Sequence, residues 1–156
     1  LSHSSAASDV YKRQKLYKSH LPSEILTNLD NVEHNQPIYL KGINFVSLCE
    51  HHLLPFTGLV NIAVYPNSKI AGVSKFSELV NILSNNLTLQ ETLTKNIAIE
   101  IQNALDPKGV MVKIRANHMC SSLLNIENFQ TEFETIYSTG IYEIDHTLRN
   151  EALLNF

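Results

Sequence analysis

Apolar residues along this chain follow two different periods, and the change from one to the other divides it into elements. From Pro37, the residues Ile38, Leu40, Ile43, Phe45 and Val46 make a run of strand formers that ends at Cys49. After Pro55, the segment Gly58 to Tyr65 reads Leu59, Val60, Ile62, Ala63, Val64, Tyr65 and is closed by Pro66-Asn67, which predicts a strand bounded by turns. Phe76, Leu79, Val80 and Leu83 then fall at i, i+3, i+4 and i+7, an amphipathic helix with Ser74 as its cap. Thr88-x-x-Glu91 has the form of a capping box and opens a second helix, with Leu93, Ile97, Ile101, Ala104 and Leu105 on one face. Asp106-Pro107-Lys108-Gly109 stops that helix. Strand character returns at Val110 to Ala116 and again at Phe133 to Tyr142. The order strand, strand, helix, helix, strand, strand predicts an α+β fold: an antiparallel four-stranded sheet with two helices inserted between the hairpins.

The chain ahead of this pattern divides in two. Residues 15–36 carry Leu16, Leu21, Ile25, Leu26 and Leu29 among polar residues, with Pro22-Ser23 marking a helix start, so a short helix and connector is expected. Residues 1–14 have no period, resemble translated adaptor or vector sequence, and are set aside as a non-native leader. There is no internal repeat and no second domain.

Composition adds exclusions. With 44% apolar and 17% charged residues, the 156-residue chain suits one globular domain. Twelve basic against 15 acidic residues leave a net charge of −3, which advertises neither a nucleic-acid nor a membrane surface. No apolar run approaches the roughly 18–20 residues of a membrane span, and a cytoplasmic location is expected. Two cysteines, Cys49 and Cys120, are too few for a disulfide framework.

Those cysteines belong to the one cluster of candidate chemistry. Cys49-Glu50-His51-His52 closes one strand and Asn117-His118-Met119-Cys120 closes another. Cys-x-x-His sets two ligands on one turn that a tetrahedral zinc can bridge, and a distant cysteine supplies a third. Three protein ligands and an open position describe a catalytic zinc. His51 and His118 stand beside the ligands and are placed to move protons. Spacing alone leaves open a blander reading, two buried cysteines with surface-facing histidines. His3, His20, His34 and His146 have no such company.

Several ordered motifs resemble the GTP cyclohydrolase I family. They are Phe45-x-Ser47-x-Cys49-Glu50-His51-His52-Leu53-Leu54-Pro55-Phe56-x-Gly58, Gly72-Val73-Ser74-Lys75, Leu89-Gln90-Glu91-x-Leu93-Thr94, Pro107-x-Gly109-Val110, Ala116-x-His118-Met119-Cys120 and Arg149-Asn150-Glu151-Ala152-Leu153-Leu154. The resemblance covers about residues 37–156, which would form the catalytic domain. It implies the tunnelling fold, a homo-oligomer of two stacked rings (a decamer in its usual form) with active sites between subunits, and a bound Zn2+. It implies Cys49, His52 and Cys120 as metal ligands, His51 and His118 as the acid/base pair, Gln90 and Glu91 as guanine readers, and Ser74 and Lys75 as contacts to ribose or phosphate. The implied reaction is zinc-assisted attack of water on C8 of guanine, loss of C8 as formate, and closure to a dihydropterin of the kind used in pterin and folate biosynthesis, 7,8-dihydroneopterin triphosphate if GTP is the substrate. Glu91 as a carboxylate can accept from N1–H and the exocyclic amine of guanine.

The chain also departs from that family. Two positions that bind triphosphate as arginine are Glu78, three residues after Lys75, and Leu124, four after Cys120; Asn125 replaces the following glycine. Each lost charge-assisted contact to phosphate costs on the order of 1.5–3 kcal/mol. Glu78 has a structural explanation as well, as a favourable acid in a first helical turn. Arg115 lies an odd number of residues from His118 on a strand and should face away from it. The metal, proton-transfer and guanine-reading residues persist while the phosphate clamp is depleted, which favours a catalytic paralogue over a dead relative. Three alternatives therefore stand beside a GTP-specific enzyme. One is the same hydrolysis on a less phosphorylated or altered guanine compound. Another is a non-catalytic zinc-binding subunit of this fold. The third is the fold's nitrile-reductase branch, which needs a cysteine nucleophile and a nicotinamide cofactor.

Overall fold

The computed structural model describes residues 25–26, 29–30, 33–124 and 131–156. The proposed leader and the Pro22-Ser23 helix start lie outside them. Of the expected connector, Ile25 is helical, Ile25 and Leu26 are buried, and Leu29–Asp30 forms a short strand, β1. It pairs antiparallel with β4, Lys69–Ile70.

The main sheet is the expected antiparallel one. β2 (Ile38–Cys49), β3 (Pro55–Tyr65), β6 (Gly109–His118) and β7 (Glu132–Gly140) lie side by side in that order. A two-residue strand, β5 (Leu87–Thr88), adds to the outer edge of β2 in parallel, pairing Leu48 with Leu87 and Cys49 with Thr88. The two expected helices are α1 (Val73–Ser84), packed on β2, and α2 (Gln90–Leu105), packed on β6 and β7.

One face of the sheet and these helices enclose the main core: Phe56, Val60, Ile62 and Val64 of β3, Val110, Val112, Ile114 and Ala116 of β6, and Leu79, Val80, Leu93, Ile97 and Ile101 of the helices. On β2 the alternation changes phase. Leu40 pairs with Ile62 and Ile43 with Val60, so two residues of β2 oppose one of β3. Gly42 occupies this bulge at φ 71, and its amide donates to Asn61 Oδ1 at 2.8 Å. Beyond it, Phe45, Ser47 and Cys49 point to the helix side.

The expected caps are corrected. α1 starts at Val73 with Gly72 as its N-cap, and no side chain caps it; Ser74 is already inside the helix and exposed. Glu78 accordingly falls past the first turn, away from the backbone N–H groups that would favour an acid. α2 is capped by Leu89, again without a side-chain bond, because Thr88 is held in β5 beside Cys49 and its hydroxyl donates to Leu89 O at 3.1 Å. The box residues are present, but strand pairing has taken the threonine. The stop at Asp106 is as expected, with that residue left-handed at φ 45.

The expected last strand is shorter than Phe133–Tyr142. Gly140 turns the chain at φ 58, and Ile141–Ile144 (α4) and His146–Asn155 (α5) follow as helices. Asp145 caps α5, accepting from the amides of Thr147 at 2.8 Å and Leu148 at 3.1 Å. Tyr142 and Ala152 from these helices bury a second cluster with Ala63 and Met111 on the other face of the sheet. A helix of six residues, Met119–Leu124 (α3), continues directly from β6. Among the described residues no helix is long and apolar enough to cross a membrane.

At Gly58 the backbone of β3 leaves no room for a side chain against β6. A Cβ there would collide with the carbonyl oxygen of Arg115 and sit 2.7 Å from Ala116 Cα. Gly58→Ala is expected to destabilise the chain by about 1–3 kcal/mol, read as a lowered denaturant midpoint at unchanged slope. An unchanged midpoint would show that the two strands can separate without cost.

Candidate functional site

One end of the sheet gathers the chemistry. β2 ends at Cys49, 5% exposed, and the chain turns tightly back into β3: Leu53 N donates to Cys49 O at 2.8 Å, Cys49 N to Leu54 O at 2.9 Å, and Leu53 is left-handed at φ 56. This turn carries His51 and His52, both exposed, with ring centroids 6.1 Å apart. Because β5 runs beside Cys49, the start of α2 is delivered to the same place, with Gln90 buried and Glu91 exposed. β6 arrives from the other side: its last residue, His118, pairs with Phe56, and α3 then carries Cys120. The result is a cavity of about 320 Å³ lined by Cys49, His51, His52, Gln90, Glu91, His118 and Cys120, with Phe133 of β7 on its wall.

The ring of His118 is the most constrained group of the site. It stacks on Phe56 with centroids 4.6 Å apart and planes 5° off parallel, and meets the edge of Phe133 at 5.7 Å. Its Nε2 lies 2.8 Å from Gln90 Oε1. Burial pushes its pKa below the ordinary imidazole value, and the carboxylate of Glu91 partly opposes that shift.

The three expected metal ligands thus share one cavity, and both cysteines are free. Two thiols and an imidazole are a donor set suited to zinc. The side chains are not drawn together into a ligating cluster, for among the described residues no group of three His, Cys, Asp or Glu is close enough to hold a metal ion.

Ser74 and Lys75 lie elsewhere, at the start of α1 and outside the cavity lining. Lys75 Nζ is paired with Glu78 Oε2 at 3.0 Å. Leu124 ends α3, four residues after Cys120. Arg115 faces away from His118 as expected and is bound to Glu134 at 2.9 Å, with Glu132 at 3.6 Å. No lysine or arginine lines the cavity among the described residues. Sequence reasoning missed Phe56 and Phe133 as the clamp on His118; the stacking partner could have been found only from the register of β3 against β6. A larger cavity of about 640 Å³, mainly between β2, β3 and α1, mixes asparagines with apolar residues such as Phe45 and Leu59, and no cysteine, histidine, aspartate or glutamate lines it among the described residues.

Residues 6–156 match the family model described as GTP cyclohydrolase I. The GTP cyclohydrolase 1 of Rickettsia typhi is 46% identical over 119 residues, covering 76% of this chain and 62% of that protein. The human GTP cyclohydrolase 1 is 35% identical over 148 residues, covering 95% of this chain and 59% of that protein. The chain spans about six-tenths of the length of these curated relatives. Among solved structures, an archaeosine synthase QueF-Like in the apo form has a TM-score of 0.58 at 17% identity, over 69% of this chain and 97% of that one, a likeness of fold.

The lowered pKa of His118 has a consequence for stability. Below its ordinary value of 6.5 the unfolded chain takes up a proton on this ring before the folded chain does, so folding weakens as pH falls through that range. In metal-free protein the denaturant midpoint is expected to drop between about pH 7 and pH 5.5, and less steeply in His118→Gln. Identical pH profiles for the two would show that the ring is solvated.

Proposed function

The chain belongs to the GTP cyclohydrolase I family, and from that membership we propose that it is a cytoplasmic, zinc-dependent hydrolase that opens the imidazole ring of a guanine nucleotide at C8 and releases formate. The observation that carries this reading is the meeting of Cys49, His52, Cys120, His51, His118 and Glu91 around one cavity from five separate elements and turns. Cys49, His52 and Cys120 would hold the zinc, which when bound supplies a Lewis acid and lowers the pKa of water toward neutrality. His118 and His51 take a proton from the attacking water and return it to the departing ring nitrogen. Glu91, exposed at the cavity, accepts from N1–H and the exocyclic amine and so distinguishes guanine from adenine. The product is a dihydropterin, 7,8-dihydroneopterin triphosphate when GTP is the substrate.

The same reading makes the protein a homo-oligomer with sites between subunits. Two features support it: Ser74 and Lys75 lie outside this chain's own cavity, as residues serving a neighbour's site would, and among the described residues β7 and most of β2 have no strand on their outer sides, at opposite edges of the sheet.

A second reading of the substrate is favoured by one contact. Lys75 is neutralised by Glu78 at 3.0 Å, within its own helix, where a triphosphate site needs cations. The preferred substrate on this reading is a guanine compound with fewer phosphates.

Formate release by the zinc-loaded protein on GTP, GMP and guanosine tests both readings. Release from at least one is expected, and silence on all three with stoichiometric zinc would overturn the hydrolase reading; a strong preference for GTP would sink the second. His118→Ala is expected to keep zinc and lower kcat by about 10²–10⁴-fold, whereas Cys120→Ala should lose zinc. Glu78→Arg with Leu124→Arg is expected to lower KM for GTP relative to guanosine. An unchanged ratio would place phosphate binding elsewhere.

A further inference from the structure

Gln90 lines the cavity yet is only 1% exposed, and its side chain is committed inside the chain. Its amide nitrogen donates to the carbonyl oxygens of Ile114 at 3.2 Å and Phe133 at 2.9 Å, and to Thr135 Oγ1 at 3.1 Å. Three acceptors around one NH2 group fix which end of the amide is nitrogen, since an oxygen there would face two carbonyl oxygens. The surrounding hydroxyls fix it again. Thr94 Oγ1 donates to Gln90 O at 2.7 Å, so its single hydrogen is used, and the 2.6 Å contact between Thr94 and Thr135 must be donated by Thr135. Thr135 is then an acceptor for the Gln90 amide, and the hydrogen bonds run in one direction from the Gln90 side chain through both threonines to the Gln90 backbone.

The orientation leaves Oε1 toward His118 Nε2, 2.8 Å away. An amide oxygen can only accept, so Nε2 is the donor and carries the ring hydrogen. Phe56 and Phe133 hold the plane of the ring. We propose that Gln90 is a positioning residue that fixes His118 as the Nε2-protonated tautomer and thereby assigns proton transfer in the reaction to Nδ1. This rests on the reading of His118 as an acid/base group. The proton from the attacking water is taken at Nδ1, Nε2–H stays on Gln90, and the proton at Nδ1 passes to the departing ring nitrogen, which returns the histidine to its neutral form. The role differs from that of a guanine reader, for which the amide would have to face the substrate.

The test begins with the unaltered chain. Magic-angle-spinning nitrogen spectra of zinc-loaded protein labelled with ¹⁵N at histidine, assigned by comparison with His118→Gln, are expected to show a protonated, pyrrole-type Nε2 and a pyridine-type Nδ1 for His118. A pyrrole-type Nδ1 overturns the proposal, whether or not any purine is turned over. Gln90→Met, which keeps the length of the side chain, is expected to lose the tautomer preference and to lower kcat for formate release by about 10- to 100-fold with KM little changed. A raised KM at unchanged kcat would overturn the proposal in favour of direct contact with guanine.

Discussion

The ladder between β3 and β6 is the constraint on which the rest of the site depends. It runs without a register break from Tyr65 opposite Gly109 to Phe56 opposite His118. Because the register is unbroken, the face that buries Val60 and Ile114 in the core is the face on which Phe56 and His118 emerge at the far end. Core packing thus sets the stacking of His118 on Phe56 at 4.6 Å without any contact dedicated to that purpose. The close approach at Gly58 draws the two strands together next to this pair, and the helix that follows β6 puts Cys120 within the same cavity. A side chain that must hold one orientation is placed at the end of an unbroken ladder, while the exposed histidines occupy a turn.

Polar groups complete what packing begins. Gln90, Thr94 and Thr135 occupy the seam between α2 and the β6–β7 pair, where the Gln90 amide donates to the carbonyl oxygens of Ile114 and Phe133. The Gln90 amide thus ties the start of α2 to both strands as well as supporting His118. Charges follow a different logic: Lys113 and Arg115 project from the far face of β6 and are matched by Glu132 and Glu134 of β7. Hydrogen bonds from Arg115 and Lys113 hold the Glu134 carboxyl below its usual range despite the opposing effect of burial. The basic residues of the central strands thus serve strand pairing and not the cavity.

Much of the fold was legible in the chain because it depends on periodicity. The two strand runs, the i, i+3, i+4 spacing of Phe76 to Leu83 and the stop at Asp106 all describe surfaces that must be buried, and burial governed the outcome. Signals that depend on one hydrogen bond were less dependable. Ser74 and Thr88 are good cap residues by type, but the N-caps fall at Gly72, two residues before Ser74, and at Leu89, one residue after Thr88. Ile141 and Tyr142 read as strand because they are apolar and β-prone, yet Gly140 at φ 58 turns them into a helix that covers the opposite face of the sheet. At the site, residue types and spacing pointed to Cys49, His52, His118 and Cys120, while the inward commitment of Gln90 could not be foreseen, since nothing in the sequence pairs residue 90 with residues 114, 133 and 135.

The bulge at Gly42 gives β2 a property best described as phase. Side chains of a strand alternate, so whether Cys49 reaches the cavity or the opposite face depends on whether the count of residues from Leu40 is odd or even. One extra residue at the bulge changes that parity, and the nine steps from Leu40 to Cys49 thereby place both ends on the helix side. Length variation in this strand is therefore restricted to even steps if its last cysteine is to remain in the cavity. A single-residue insertion or deletion between Gly42 and the turn would move every later residue of β2, Cys49 included, to the opposite face.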